Sequence, residues 1–560
     1  MLTVAGGCGD PEPRPAPAPP PPTTAAASPS PPPAPTDPAA VRAAAVVATL
    51  ADADLVGQVL MPYAYGSYAT KVSSGSAAGN RDIAGVATPA EMIAKYRLGG
   101  LILVGWSADD PTSGNQPTTN IDSPAQVRSL TAGLQAAAAG LPARAPLLIG
   151  TDQEFGVVTR VKEGVTVLPS AMAFGAAGNA KLTEAAWRAA GAELATLGVN
   201  VNFAPVADVL GEGGSTVIGS RSYGADTAAA AAQVAAAVRG MRAAGVAATV
   251  KHFPGHGHTT ADSHTDLPVL GQSRTALERE DLPPFAAGIA AGAGLVMSGH
   301  LDVRAVDPGV PATFSHRTLT GLLRGQLAFG GVVVTDALNM APAKRWPPAE
   351  AALRALLAGN DLLLMPPDLP AVHAGLSAAL ADGRLPRARL VEAATRVLTL
   401  KFRLAAGPAP GGLASVGAPA HVAAVAALSR AAVTQLRGPC GGARAGGTVT
   451  VTASGGRERA RGWLVASLHA VGVRVVDSGG TVVHLVGYGD GPGDLNPAAA
   501  VTVAMDTPYL LASSSSRVLL ATYSSSRLSM AALAAVLAGK AAAPGRSPVA
   551  VRGLPRTACA

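Results

Sequence analysis

The densest concentration of reactive side chains is Lys251-His-Phe-Pro-Gly-His-Gly-His-Thr-Thr-Ala-Asp-Ser-His-Thr-Asp-Leu-Pro268, which holds four His, one Lys and two Asp in eighteen residues. Three readings fit it. His252, His256, His258 and His264 are imidazoles of the kind that ligate zinc, but their spacing matches no standard zinc pattern and Lys251 would repel a cation. The same residues also suit a solvated polar loop. The third reading is proton transfer: Asp262 and His264 are two residues apart, so in an extended segment both side chains point the same way. A carboxylate bonded to one imidazole nitrogen fixes the tautomer and supports the cation, which suits His264 to general acid and base work. Such a dyad needs a partner, and Asp336 qualifies. It closes the apolar run Gly331-Val-Val-Val-Thr335, where a carboxylate is costly to bury without a function or a firm hydrogen-bond partner. There it would act as a nucleophile toward an oxocarbenium-like centre.

These residues must be positioned by the elements around them. From about Val41 to Ala405, short apolar runs alternate with Ala-rich stretches of helical character. Eight runs read as strands: 58–61, 100–104, 146–150, 199–205, 248–252, 294–298, 331–335 and 361–365. Several are almost wholly apolar and β-branched, as parallel strands buried on both faces require. The expected fold is a (β/α)8 barrel of the TIM type followed by a smaller α/β domain. Polar residues gather just after the strands, at Asp152 to Glu154, Asp208, Lys251 to His264, His300 and Asp336, which implies one shared active face. The expected organisation is a leader and Pro-rich linker over 1–40, the barrel over 41–405 and the second domain over 413–560, after the break Gly407-Pro-Ala-Pro-Gly-Gly412. In the second domain, 448–452, 473–476, 482–485, 500–504 and 518–522 read as strands.

Composition excludes several classes. With 48% apolar and 14% charged residues, the 560-residue chain buries a large core and is not disordered overall. It contains no run of 18 apolar residues, so a spanning helix is not expected. Aromatic residues make up 4%, and no basic run is interleaved with stacking rings, so nucleic acid is not an expected partner. The net charge of +7 is uneven: from Ala406 onward there are 13 Lys or Arg and 5 Asp or Glu, a balance suited to an anionic polymer.

Met1-Leu-Thr-Val-Ala-Gly-Gly-Cys8 leads into a Pro/Ala/Ser/Thr tract and resembles a bacterial lipobox, in which Cys8 is lipidated after signal cleavage. Only the end of a signal peptide precedes Cys8, so an upstream start is expected, with Met1 inside the signal. The protein is then exported and anchored to the membrane through lipid, or held in the cell wall. In that compartment Cys440 and Cys559 form either a disulfide clasping the second domain or two separate thiols.

The loop 251–268, the strand end Val334-Thr-Asp-Ala-Leu-Asn-Met340 and Gly150-Thr-Asp-Gln-Glu154 together resemble glycoside hydrolase family 3, in its β-N-acetylglucosaminidase branch, over about Leu50 to Leu404. The resemblance implies a retaining hydrolase with Asp336 as nucleophile and Asp262 and His264 as the branch's acid/base dyad. It implies that Asp152, Arg160, Lys251 and His252 bind sugar hydroxyls and that Arg221 belongs to the substrate site, with His300 a further candidate. No metal or organic cofactor is implied. The expected substrate is non-reducing terminal GlcNAc on peptidoglycan fragments in cell-wall turnover. Alternatives are a GlcNAc phosphorylase of the same branch, a family 3 β-glucosidase and a non-catalytic wall-binding lipoprotein. Two positions depart from the family pattern: the usual Asp-Gln-Glu-Gly-Gly-Arg reads Asp152-Gln-Glu-Phe-Gly-Val157, and Ala337 follows the nucleophile where an acid is common. Trp106, Trp187 and Trp346 are either stacking platforms for sugar rings or core residues.

Overall fold

The alternation of apolar runs and Ala-rich helices resolves, in a computed structural model, into a closed parallel barrel. The structure describes residues 1–7, 9, 37–106, 116–259, 261–445 and 447–559, so Cys8 and most of the Pro-rich linker lie outside the described residues. The barrel strands are β1 (Leu60–Met61), β2 (Gly100–Leu103), β3 (Leu148–Thr151), β4 (Val201–Asn202), β5 (Ala247–Phe253), β6 (Leu295–Ser298), β7 (Val332–Thr335) and β8 (Leu363–Leu364). Each overlaps one of the eight runs read from the sequence. Strands β2 to β7 pair in chain order and β8 pairs with β1. Parallel bridges Tyr63 to Ile102 and Val334 to Leu362 join the remaining neighbours and close the ring. The fold is a (β/α)8 barrel.

The strand period decides which side chains fill it. Val332 and Val334 point inward with Met61, Ile102, Leu148, Phe203 and Met297, while Val333 packs outward against the helical layer. Local sequence sets the helix starts: Ser123 accepts the backbone N–H of Gln126 to open Pro124–Ala139, and Thr88 with Glu91 forms a capping box for Pro89–Tyr96.

The last barrel helix, Arg387–Ala405, carries a fully buried lysine. Lys401 Nζ donates to Gln58 Oε1 at 2.7 Å, just before β1. Burial holds its ammonium down to about 7, from an ordinary value of 10.5. The unfolded chain therefore binds a proton that the folded chain lacks across that interval, so stability rises with pH between those values. Thermal melts from pH 7 to pH 9 should show this rise in the wild type and lose it in Lys401→Met; parallel pH profiles for the two proteins would disprove it.

The second domain is a six-stranded sheet of β9 (Thr434–Arg437), β10 (Thr448–Ala453), β11 (Arg474–Val475), β12 (Thr481–Val486), β13 (Val501–Ala504) and β14 (Val518–Ala521). Its spatial order is β9-β14-β13-β12-β10-β11, parallel except for β9 against β14. Strand β9 was not expected from the sequence, because Thr-Gln-Leu-Arg has no apolar alternation and gains its burial only by pairing with β14. One sheet face buries Val501, Val503 and Leu520 against Leu464 and Leu468 of the helix Glu458–Ala470 and Leu533 of the helix Arg527–Leu537. The other buries Ala504, Leu519, Ala521 and Tyr523 against Met172, Val206, Leu210 and Ile218 of the barrel. The two domains thus share a core. A disulfide joins Cys440 to Cys559 and ties the chain's C-terminal segment back to the start of this domain.

Candidate active site

The C-terminal strand ends surround a pocket that opens to solvent. Its lining includes Asp152 after β3, Glu154, Arg221 in a single turn after β4, Lys251 and His252 on β5, His264 on the following loop, Asp336 and Ala337 after β7, and Leu364 and Met365 at β8. Eight parallel strands bring together residues from Asp152 to Met365 that no local pattern connects.

One wall is a chain of charges. Lys251 Nζ lies 2.7 Å from Asp152 Oδ1 and 2.6 Å from Glu154 Oε1. Arg221 grips Glu154 with Nε at 2.7 Å and Nη2 at 2.9 Å, a two-point fork. Burial would raise the Glu154 pKa, but the Arg221 and Lys251 cations outweigh it and hold the carboxyl far below its ordinary value. Burial would likewise discharge Lys251, but the carboxylates of Asp152 and Glu154 keep it an ammonium. The wall therefore presents fixed charges and donors for a hydroxyl-rich ligand.

The four histidines do not converge on one point. His252 Nδ1 is 2.8 Å from Asp208 Oδ2, and Asp208 Oδ1 accepts the backbone N–H groups of His252 and His256. His256 bonds Ser263 Oγ at 3.1 Å and Thr259 Oγ1 at 2.6 Å, and burial lowers its pKa to about 4, so the ring is neutral at neutral pH. His258 Nδ1 is 2.9 Å from the buried Asp281. Among the described residues no group of three or more His, Cys, Asp or Glu is arranged to hold a metal. His256 and His258 instead tie the loop down, while His252 and His264 face the pocket. At Gly257 a Cβ would sit 2.0 Å from Val209 O, so only glycine lets the loop pass this close to the neighbouring backbone.

On that loop His264 Nδ1 lies 2.5 Å from Asp262 Oδ1, which also accepts the His264 backbone N–H at 2.9 Å. The His264 hydrogen bond is the main cause that brings the Asp262 pKa down to about 2. An ionised carboxylate only accepts, so Nδ1 carries the hydrogen and Nε2 is left for proton exchange. Across the pocket, Asp336 receives the Ala337 N–H on Oδ1 at 2.8 Å, and its own N–H donates to Ser298 O at 3.0 Å. Burial alone would raise its pKa, but His252, His300 and His264 outweigh it and keep the carboxyl below its ordinary value. The arrangement holds an anionic carboxylate and a carboxylate-supported imidazole in one pocket, the two groups that glycosyl transfer to and from an enzyme carboxylate requires.

A model of the glycosyl hydrolase family 3 N-terminal domain matches residues 56–400. The chain belongs to glycosyl hydrolase family 3. It is 35% identical over 376 residues to beta-hexosaminidase A of Pseudoalteromonas piscicida, covering 62% of this chain and 60% of that protein. It is 41% identical over 261 residues to a beta-hexosaminidase of Pseudomonas aeruginosa, covering 46% of this chain and 76% of that one. A solved family 3 beta-N-acetylglucosaminidase from Paenibacillus sp. str. FPU-7 superposes over 90% of this chain and 99% of its own, with a TM-score of 0.78 at 31% identity.

Two residues expected at the sugar lie off the lining of this family 3 pocket. Arg160 is buried where the hairpin Gln153–Phe155 and Val158–Thr159 ends, and Gln153 Oε1 accepts its backbone N–H at 2.9 Å. His300 is fully buried beside Asp336; its Nε2 donates to Ala337 O at 3.0 Å and its ring stacks on Phe314. Burial lowers its pKa and favours the neutral ring. Glu154 and Asp208 carry more of the geometry than the sequence indicated: both stood among the polar strand-end residues, but their partners lie 67 and 44 positions away, at Arg221 and His252.

The departure at Phe155 has a structural counterpart. Its φ of 69° lies in the left-handed region that favours glycine, and its buried ring packs edge-on against Trp187 at 5.6 Å. Trp187 is core and Trp346 packs on Phe314, whereas Trp106, in the segment that follows β2, is 65% exposed.

Proposed function

We propose that this chain is a retaining β-N-acetylglucosaminidase that removes non-reducing terminal GlcNAc from peptidoglycan fragments. The observation that carries this reading is Asp336, an anionic carboxylate set among three imidazoles in a pocket that the His264 and Asp262 loop also lines. The relatives support the sugar, since they are named hexosaminidases and an N-acetylglucosaminidase.

In the first step the Asp336 carboxylate attacks the anomeric carbon. The glycosidic C–O bond breaks, and His264 Nε2 gives its proton to the departing oxygen. In the second step His264 takes a proton from water, whose oxygen attacks the same carbon and releases GlcNAc from the Asp336 ester. Asp262 holds the ring and stabilises the imidazolium, while Asp152, Lys251, His252 and Arg221 hold the sugar. Export with lipid attachment at Cys8 fits the sequence of the leader and directs the enzyme to wall fragments outside the cytoplasm.

The purified protein should release nitrophenol from 4-nitrophenyl-β-N-acetylglucosaminide and much less from the β-glucoside. Preference for the glucoside would reject the sugar assignment, and GlcNAc-1-phosphate in phosphate buffer would make the enzyme a phosphorylase. Tight wall binding without turnover by folded wild type would replace the enzymatic reading with a binding one.

A further inference from the structure

Among the described residues the second domain contributes none to the pocket lining, yet it bonds a barrel loop that does. In parallel sheets the crevice outside the carboxyl ends of the strands, where strand order reverses, is the usual ligand position. Here the reversal lies between β10 and β12, and the chain fills that part itself: Ser454 and Arg457 after β10 both bond Asp490 after β12. Beside it, after β13, Asp506 Oδ1 accepts the hydroxyl of Ser220 from the barrel.

Ser220 is 3% exposed and is the residue before Arg221 in the single turn Gly219–Arg221. The rest of the loop lies on the same surface. A Cβ at Gly214 would meet the Tyr509 ring at 2.7 Å, and one at Gly219 would meet Thr507 Cγ2 at 3.5 Å. Where the loop ends, the Ala225 N–H donates to Pro548 O at 3.1 Å. The turn thus has second-domain partners on one side and, through Arg221, the Glu154 carboxylate on the other.

We infer that Asp506 is a positioning residue for the substrate pocket: by holding Ser220 it aims the Arg221 guanidinium, so sugar binding in the barrel depends on the second domain. The inference rests on Arg221 serving the pocket as proposed above. Within the barrel the turn is held by the Gly219 N–H on Ser215 O, the Arg221 N–H on Ile218 O and Ser222 Oγ on Asp208 O, but none of these bonds holds the Ser220 side chain, and the arginine must meet a two-point fork whose geometry tolerates little rotation. Asp506 supplies the fixed point from outside the barrel.

The test compares KM and kcat on 4-nitrophenyl-β-N-acetylglucosaminide, and the Kd of N-acetylglucosamine by calorimetry, for the full-length wild type, Asp506→Ala, Asp506→Asn, Ser220→Ala, the Asp506→Ala/Ser220→Ala double variant and Arg221→Ala. Asp506→Ala and Ser220→Ala should each raise KM and Kd about tenfold, the effect of losing one buried hydrogen bond and leaving its partner unsatisfied, with kcat within about twofold. The double variant should be no worse than either single one, because the pair acts as a unit. Asp506→Asn keeps an acceptor oxygen in place and should restore most of the affinity. Unchanged KM and Kd in Asp506→Ala, or a loss confined to kcat and thermal stability, would overturn the inference and leave the proposed function standing. Arg221→Ala with wild-type affinity would instead show that Arg221 does not serve the pocket, and the inference would fail with that reading.

Discussion

Asp336→Ala is expected to reduce kcat on the N-acetylglucosaminide by about 10⁴- to 10⁶-fold, the range seen when an enzyme's nucleophile is removed. The size of the effect follows from where the chain puts this carboxylate. Strand β7 is all apolar until Thr335, so Asp336 is the first group there able to carry charge into the pocket. The imidazoles facing it, His252 foremost, favour its anion against the cost of burial, and the Ala337 N–H fixes one oxygen. Among the described residues that line the pocket, the other two carboxylates, Asp152 and Glu154, are neutralised by Lys251 and Arg221. Asp336→Asn, which preserves shape and removes the nucleophile, should lose as much as the alanine variant. An activated fluorosugar of the GlcNAc series should leave one glycosyl group on the peptide containing Asp336, seen by mass spectrometry. Absence of any adduct, with the substrate still hydrolysed, would instead favour attack by the substrate's own N-acetyl oxygen.

His264→Ala is expected to cost about 10²- to 10⁴-fold in kcat/KM on a natural disaccharide, the usual contribution of a positioned acid and base. The loss should be smaller on 4-nitrophenyl glycosides, because nitrophenolate leaves without needing a proton. Added azide, a nucleophile that requires no general base, should restore turnover in His264→Ala with a β-glycosyl azide as product, whereas any rescue of Asp336→Ala should give the α-azide, formed by direct displacement. Equal losses on good and poor leaving groups, with no response to azide, would remove His264 from proton transfer. Asp262 should stay ionised throughout such assays, since its hydrogen bond with His264 takes its pKa down to about 2. Any loss of activity as the pH falls toward 5 therefore has another origin than protonation of Asp262.

The sequence alone was enough to place eight barrel strands, because strands buried on both faces are short unbroken apolar runs between Ala-rich helices, a one-dimensional signal. It was also enough to pair Asp262 with His264, since two residues' separation along the chain is itself a distance in space. It indicated which strand ends carry polar groups, and so which face of the barrel to examine. It did not indicate the partners of those groups. Glu154 meets Arg221 and Lys251, Asp208 meets His252, Lys401 meets Gln58 and Ser220 meets Asp506 only because the ring closes and the second sheet docks on it. A buried polar side chain must find a partner, but chain order does not say which, and the candidates stand tens to hundreds of residues apart. For the same reason Thr434–Arg437 read as no strand and pairs with β14. What periodicity and local spacing encode was determined by the sequence; which charges meet, and how the second domain touches the pocket loop, was decided by tertiary closure.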